Sequence, residues 1–203
     1  MTKRKLVLVA VLLGSVFHAA TGSAGDAAKG AAKAVVCAAC HGANGNSANP
    51  EWPSLAGLGA DYIAAQLNSF KEGKRANPVM MPNAMALTPE DMADLGAYFN
   101  GMTNTGLEAD PTYWEAGQKL FRAGDAARGI PACMACHGPA ARGNDASKFP
   151  ALRGQHSVYA IKQLQDYASG ARKTGPNDIM QSIAKKLTAD DMRNVASYLQ
   201  GIR

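Results

Sequence analysis

The chain has 203 residues, 47% of them hydrophobic and 18% charged, with a formal net charge of +5 and four cysteines. That length suits one or two small domains. Three of the 21 Lys and Arg, and none of the Asp and Glu, fall in residues 1–24; the remainder, 18 basic against 16 acidic, is too balanced for a nucleic-acid-binding protein.

Residues 1–24 read as a secretory signal peptide. Lys3, Arg4 and Lys5 form the basic start, Leu6 to Phe17 is mostly apolar, and Gly22, Ser23 and Ala24 are the small residues before cleavage. The expected cleavage point follows Ala24, with Ala20 the second choice. The apolar stretch is short of the about 20 residues of a spanning helix, and no other segment could cross a bilayer.

Next in the chain comes Cys37-Ala38-Ala39-Cys40-His41, which recurs as Cys133-Met134-Ala135-Cys136-His137. This is the signature of covalent haem attachment. Two thiols three positions apart on one helical turn can both form thioethers to the vinyl groups of one porphyrin, and the following imidazole then faces the iron. Disulfides within each motif would close tiny loops and stabilise little. A zinc site would need the two pairs to converge across the 92 residues between Cys40 and Cys133, far from the spacing of zinc ribbons. A thioredoxin-like centre would need a strand and helix alternation that neither motif has. Two haem c groups are therefore expected, and haem of this type is attached outside the cytoplasm, so the export signal places the mature chain in the periplasm of a Gram-negative bacterium.

Downstream of each motif the sequence repeats at an offset of 96 to 100 residues. Gly45-Asn46 aligns with Gly143-Asn144, Trp52-Pro53-Ser54-Leu55-Ala56-Gly57 with Phe149-Pro150-Ala151-Leu152-Arg153-Gly154, and Tyr62, Gln66, Leu67, Phe70 and Gly73 with Tyr159, Gln163, Leu164, Tyr167 and Gly170. The apolar period is helical throughout. Thr88 with Pro89, Glu90 and Asp91 starts a helix, as do Thr188, Asp190 and Asp191. These closing helices should bury Met92, Leu95 and Phe99 in one half, and Met192, Val195 and Leu199 in the other. Residues 101–112, rich in Gly, Asn, Thr, Asp and Pro, read as a linker. The expected fold is all-α, with two tandem domains at residues 25–108 and 109–203, each wrapped around one haem. Such small units need the cofactor as a staple. The halves differ in charge: 5 basic and 8 acidic side chains in 25–108, against 13 and 8 in 109–203. Such a dipolar molecule could be oriented as it meets charged partners.

Each iron needs a second axial ligand besides His41 or His137. Beyond the signal the spare histidine is His156, whose repeat counterpart is Gly59, so it reads as a surface or hydrogen-bonding residue. A thioether raises the haem potential. Met134 lies inside its own motif and Met192 on a core face, which leaves Met180, seven residues before Leu187; seven before the equivalent Leu87 stands Met80. Symmetry selects Met80 and Met180, although Met81 and Met85 are close to Met80 and are otherwise read as core filling. Pro53 and Pro150 are the candidates for carbonyls that accept the second N–H of the ligating imidazoles. Trp52 and Phe149 should flank the haems or fill the core.

On the paired attachment motifs, the Pro-x-Leu-x-Gly segments and the methionine loops, residues 25–203 resemble the diheme cytochromes c4, tandems of two class I cytochrome c domains. The resemblance implies an electron carrier rather than an enzyme, often membrane-associated. It would take electrons from a quinol-oxidising complex or small cytochrome and deliver them toward a haem–copper terminal oxidase. Two other readings stay open: an electron-accepting subunit of a larger dehydrogenase, and a diheme enzyme such as a peroxidase.

Overall fold

The computed structural model describes residues 25–202, so the expected signal peptide lies outside the described residues. The first half holds α1 (Ala27–Lys33), α2 (Ala38–His41), α3 (Ala60–Lys71), α4 (Met80–Met85) and α5 (Pro89–Asn100). The second holds α6 (Trp114–Ala123), α7 (Met134–His137), α8 (Ser157–Ser169), α9 (Ile179–Ala184) and α10 (Ala189–Gly201). Among the described residues β-pairing is confined to isolated bridges, so the fold is all-α.

In each half the closing helix is central. α5 packs between α1 and α3, and α10 between α6 and α8. Close crossing with the first helix depends on a glycine: a Cβ at Gly30 would stand 2.1 Å from the Asp94 carbonyl oxygen, and one at Gly117 2.0 Å from that of Asn194. Burial follows the 3.6-residue period, with Met92, Leu95 and Phe99 inside on α5 and Met192, Val195 and Leu199 inside on α10. Two separate cores result, one around Ile63, Leu95 and Phe99 and the other around Phe121, Val195 and Leu199.

Both closing helices begin with a capping box. The Thr88 and Thr188 hydroxyls accept the backbone N–H of Asp91 and Asp191, whose carboxylates accept the threonine N–H in return. Asp191 also pairs with Arg128, 2.6 Å away, and these bonds hold its carboxyl down at about 2. Thr188→Ala should therefore cost about 1 kcal/mol in chemical denaturation. The contribution of Asp191 is present above its ordinary value near 3.8 and is lost as the pH falls toward 2, because its folded-state value is the lower one. A Thr188→Ala protein as stable as the parent at pH 7 would contradict this assignment.

The connection between the halves is tied down along its length. Asn46 Nδ2 donates to the Thr103 carbonyl and its Oδ1 accepts from the Thr105 N–H, on the side of the first half. Gln200 Nε2 donates to the Glu108 carbonyl and Ser197 Oγ accepts from the Asp110 N–H, on the side of the second.

The structure revises one repeat pairing. The Gly45 carbonyl accepts from the N–H groups of Leu55 and Ala56, and the carbonyl with the same role in the second half, accepting from Leu152 and Arg153, belongs to Ala141 rather than Gly143. Counting from the histidines gives this match, four residues beyond His41 and His137, whereas identity of letters had favoured Gly143. Ala141 is fully buried with φ +50°, a left-handed conformation that its glycine counterpart, at +71°, adopts without cost.

Candidate haem sites

Both attachment motifs form one turn of helix. The His41 N–H donates to the Cys37 carbonyl at 2.9 Å and the His137 N–H to that of Cys133 at 3.0 Å. This places each pair of thiols and the following imidazole along one short stretch of backbone. Before attachment, burial pushes the Cys37 thiol up, and that of Cys133 to about 11.

His41 and His137 are 7% and 6% exposed. The Nδ1 of His41 lies 2.8 Å from the Pro53 carbonyl oxygen, and that of His137 2.9 Å from the Pro150 carbonyl oxygen. A carbonyl can only accept, so Nδ1 carries the hydrogen and Nε2 keeps its lone pair. Burial lowers the pKa of both rings below the ordinary value, against a smaller opposing effect of the proline carbonyls. Two neutral, oriented imidazoles with a free Nε2 are what a metal needs.

A cavity of about 650 Å³ runs between the halves and is lined by all four cysteines and both histidines. Among the described methionines, Met80 at the start of α4 and Met180 in the first turn of α9 line it. Met81 and Met85 do not, and the core-filling role expected of them fails for Met85, which is 57% exposed: α4 turns that side chain outward while Ala84 fills the core. Phe149 stacks at a tilt on His137, 6.1 Å between ring centroids. Trp52 also lines the cavity, but at 36% exposure it is not core.

At the boundary between the halves stand two buried arginines, 8% and 4% exposed, that form an antiparallel bridge. Each crosses to the other half. Arg75 donates to Tyr159 and Gln163, and Arg172 to Tyr62 and Gln66, at 2.5 to 2.8 Å. Each also binds a glutamine of its own half, Gln66 or Gln163, and stacks on an aromatic ring, Phe70 or Tyr167. Burial alone would raise the Tyr62 phenol, but the facing Arg172 and Arg75 outweigh it and bring the group below its ordinary value. Among the described residues neither guanidinium has a carboxylate partner. Two buried, unpaired cations are costly. Both line the cavity, and the propionates of a porphyrin would supply anions for them, so the cavity fits haem in charge as well as in its donor set.

These arginines escaped the reading of the sequence, yet the offset of 97 that aligns Tyr62 and Gln66 with Tyr159 and Gln163 also aligns Arg75 with Arg172. Gln155 was missed too; it exchanges two hydrogen bonds with the Ser54 backbone across the boundary. His156, expected on the surface or in a hydrogen bond, is buried, and its Nε2 lies 2.8 Å from the Ser47 carbonyl oxygen of the other half.

The cytochrome c family model matches twice, over residues 27–103 and 114–203. Cytochrome c4 of Pseudomonas aeruginosa is 44% identical over 97% of this chain and 98% of its own length. The chain belongs to the cytochrome c4 family. As a cytochrome c4 relative it is an electron carrier with covalent haem, and not an enzyme. The crystal structure of reduced recombinant cytochrome c4 from Pseudomonas stutzeri superposes with a TM-score of 0.86 at 40% identity, covering 89% of this chain and all of that one. The thiosulfate dehydrogenase electron acceptor of Stutzerimonas stutzeri, 40% identical over 83% of this chain and 80% of its own length, shows that the cytochrome c4 pattern extends to proteins of that name. Among the described residues no helix is long and apolar enough to cross a membrane.

Proposed function

We propose that this chain is a periplasmic carrier, exported by the signal in residues 1–24, that holds two haem c groups and passes electrons in a respiratory chain toward a haem–copper terminal oxidase. Residues 25–108 carry one haem on Cys37 and Cys40, with His41 and Met80 as axial ligands. Residues 109–203 carry the other on Cys133 and Cys136, with His137 and Met180. Each haem supplies a one-electron ferric/ferrous couple. The observation that carries this reading is the duplication of one donor set on one cavity: in each copy of the repeat, a buried histidine fixed by a proline carbonyl and a methionine at the matching position.

The chain's own work is rigidity and electrostatics. Pro53 and Pro150 hold the ring orientation of the histidines. Arg75 and Arg172 would offset the negative charge of haem propionates, Trp52 and Phe149 line the cavity with apolar surface that disfavours water, and the core helices hold both ligand sets fixed, so that electron transfer demands little rearrangement. The opposite charges of the halves orient the molecule on its partners, a quinol-oxidising complex or small cytochrome as donor and the oxidase as acceptor, with peripheral attachment to the membrane.

A second reading follows from the relative named as a thiosulfate dehydrogenase electron acceptor: the chain serves as the electron-accepting subunit of a dehydrogenase. Carbon monoxide tests the shared core of both readings. The reduced protein, with two covalent haems counted per chain, should show an unchanged visible spectrum under the gas, because Met80 and Met180 close both irons. Binding at either haem would refute that ligand set. Copurification of a catalytic chain from the native periplasm would favour the subunit, and its absence the free carrier.

A further inference from the structure

Asp94 on α5 is 2% exposed and only half satisfied. Its Oδ1 accepts from the Asp26 N–H at 2.7 Å, while Oδ2 has no hydrogen-bond partner. The nearest cation, Lys33, is 4.0 Å from Oδ2 and already bonded to Asp91 at 3.0 Å. A buried carboxylate with an unmet oxygen calls for a donor, preferably a cationic one.

Gly25 lies directly against this stretch of α5. A Cβ there would stand 2.0 Å from the Ala93 carbonyl oxygen and 2.7 Å from the Asp94 nitrogen, so the backbone at residue 25 is pressed onto the helix that carries the orphan oxygen. The second half repeats the arrangement with one change. Gly30 meets the Asp94 carbonyl and Tyr98, and Gly117 meets the Asn194 carbonyl and Tyr198, so the counterpart of Asp94 is a neutral asparagine. There the chain runs on into α6 from the connection, and no chain end can arise. The carboxylate is found in the half where proteolysis would create an amino terminus, and the amide where it would not.

We propose that the α-amino group freed by cleavage after Ala24 is the missing partner, and that the Gly25 ammonium pairs with Asp94 Oδ2 and locks the start of α1 onto α5. The inference rests on the reading of residues 1–24 as a cleaved signal. Hydrolysis of the Ala24–Gly25 peptide bond leaves a carboxylate on the departing segment and an amine on Gly25, which takes up a proton at neutral pH. A neutral single-donor amide thus becomes a cation with three donors. Since α1 leads within a few residues to Cys37, processing would firm the element that precedes the first attachment motif. The other charges around the pair are already engaged: Lys29 with Glu90, Lys33 with Asp91, and Asp26 as the cap of α1, with Asp61 further off on α3 beside Pro89 and Met92.

The test uses the exported, reduced holoprotein. Its intact mass fixes the first residue, and cyanate, which attacks only unprotonated amines, reports on the α-amino group at pH 7. We expect an amino-terminal Gly25 that reacts at least about tenfold more slowly than in the Asp94→Asn protein, since each unit of raised pKa removes a factor of about ten in free amine. The thermal midpoint of the parent should exceed that of the variant below about pH 8, the ordinary value of an α-amino group, and the advantage should vanish as pH rises through the raised folded-state value. A first residue other than Gly25 overturns the processing site and the proposal with it. Gly25 as first residue, with equal reactivities and a pH-independent difference in midpoint, overturns the ion pair and leaves the signal reading standing. If Asp94→Asn does not fold, comparison of the parent's reactivity folded and in denaturant decides: equal rates reject the pair.

Discussion

Replacing Met180 by alanine should lower the reduction potential of the haem held by His137 by about 0.2 V, a quarter of the roughly 0.8 V that axial ligation commands. The haem held by His41 should shift little. A thioether is a soft, neutral donor that favours the ferrous state, and its loss leaves water or a vacant position that favours the ferric one. Met180 lines the cavity from the first turn of α9, in the same half as His137. The midpoints follow from a spectroelectrochemical titration, and carbon monoxide should now bind one haem per chain. Met85→Ala is the control: that side chain points to solvent, so neither potential should move. Equal shifts at both haems after Met180→Ala would sink the assignment, as would a variant that still refuses the gas.

The sequence shows more of the coordination chemistry than of the boundary between the halves, for a physical reason. Attachment demands two cysteines and a histidine within one helical turn, and a cap demands a threonine beside acids, so these appear as short local patterns: Cys37 to His41, Thr88 to Asp91. Pro53 and Pro150 could be proposed because the duplicated Pro-x-Leu-x-Gly segments mark them. The contacts of Arg75 and Arg172 are different in kind. Tyr159 lies 84 residues from Arg75 and Tyr62 110 from Arg172, and an arginine two residues past a glycine looks like any solvated charge. Only folding shows that both guanidiniums are buried and cross-partnered. Met85 failed for a related reason. A methionine one turn along from Met81 carries no sign of whether α4 turns it in or out, and the burial of Ala84 decides that it turns out. The Gly45 alignment erred because identical letters outweighed a constant distance from the histidine, and it is that distance which the fold keeps.

The cross-partnering of the arginines makes the second large effect a shared one. Arg172→Met keeps most of the side-chain volume and removes one buried positive charge. Both haem potentials should fall, on the order of tens of millivolts, because one elementary charge is removed from the wall of a cavity whose effective dielectric constant is about 20. A cation near an iron centre favours the reduced state, so its loss favours the oxidised one. The shift extends to both haems because Arg172 stacks on Tyr167 in its own half while its guanidinium binds Tyr62 and Gln66 in the other. The same change strands the Tyr62 hydroxyl and part of Gln66, which should cost about 1–3 kcal/mol in chemical denaturation. It also lets the Tyr62 phenol titrate higher, since burial then outweighs the one guanidinium that remains. Met180→Ala thus moves one potential and Arg172→Met moves two, and the contrast separates a ligand from a charge held in common. A change confined to the His137 haem in Arg172→Met would mean that the arginine serves its own half alone, and unchanged potentials with lowered stability would reduce it to a structural link between the halves.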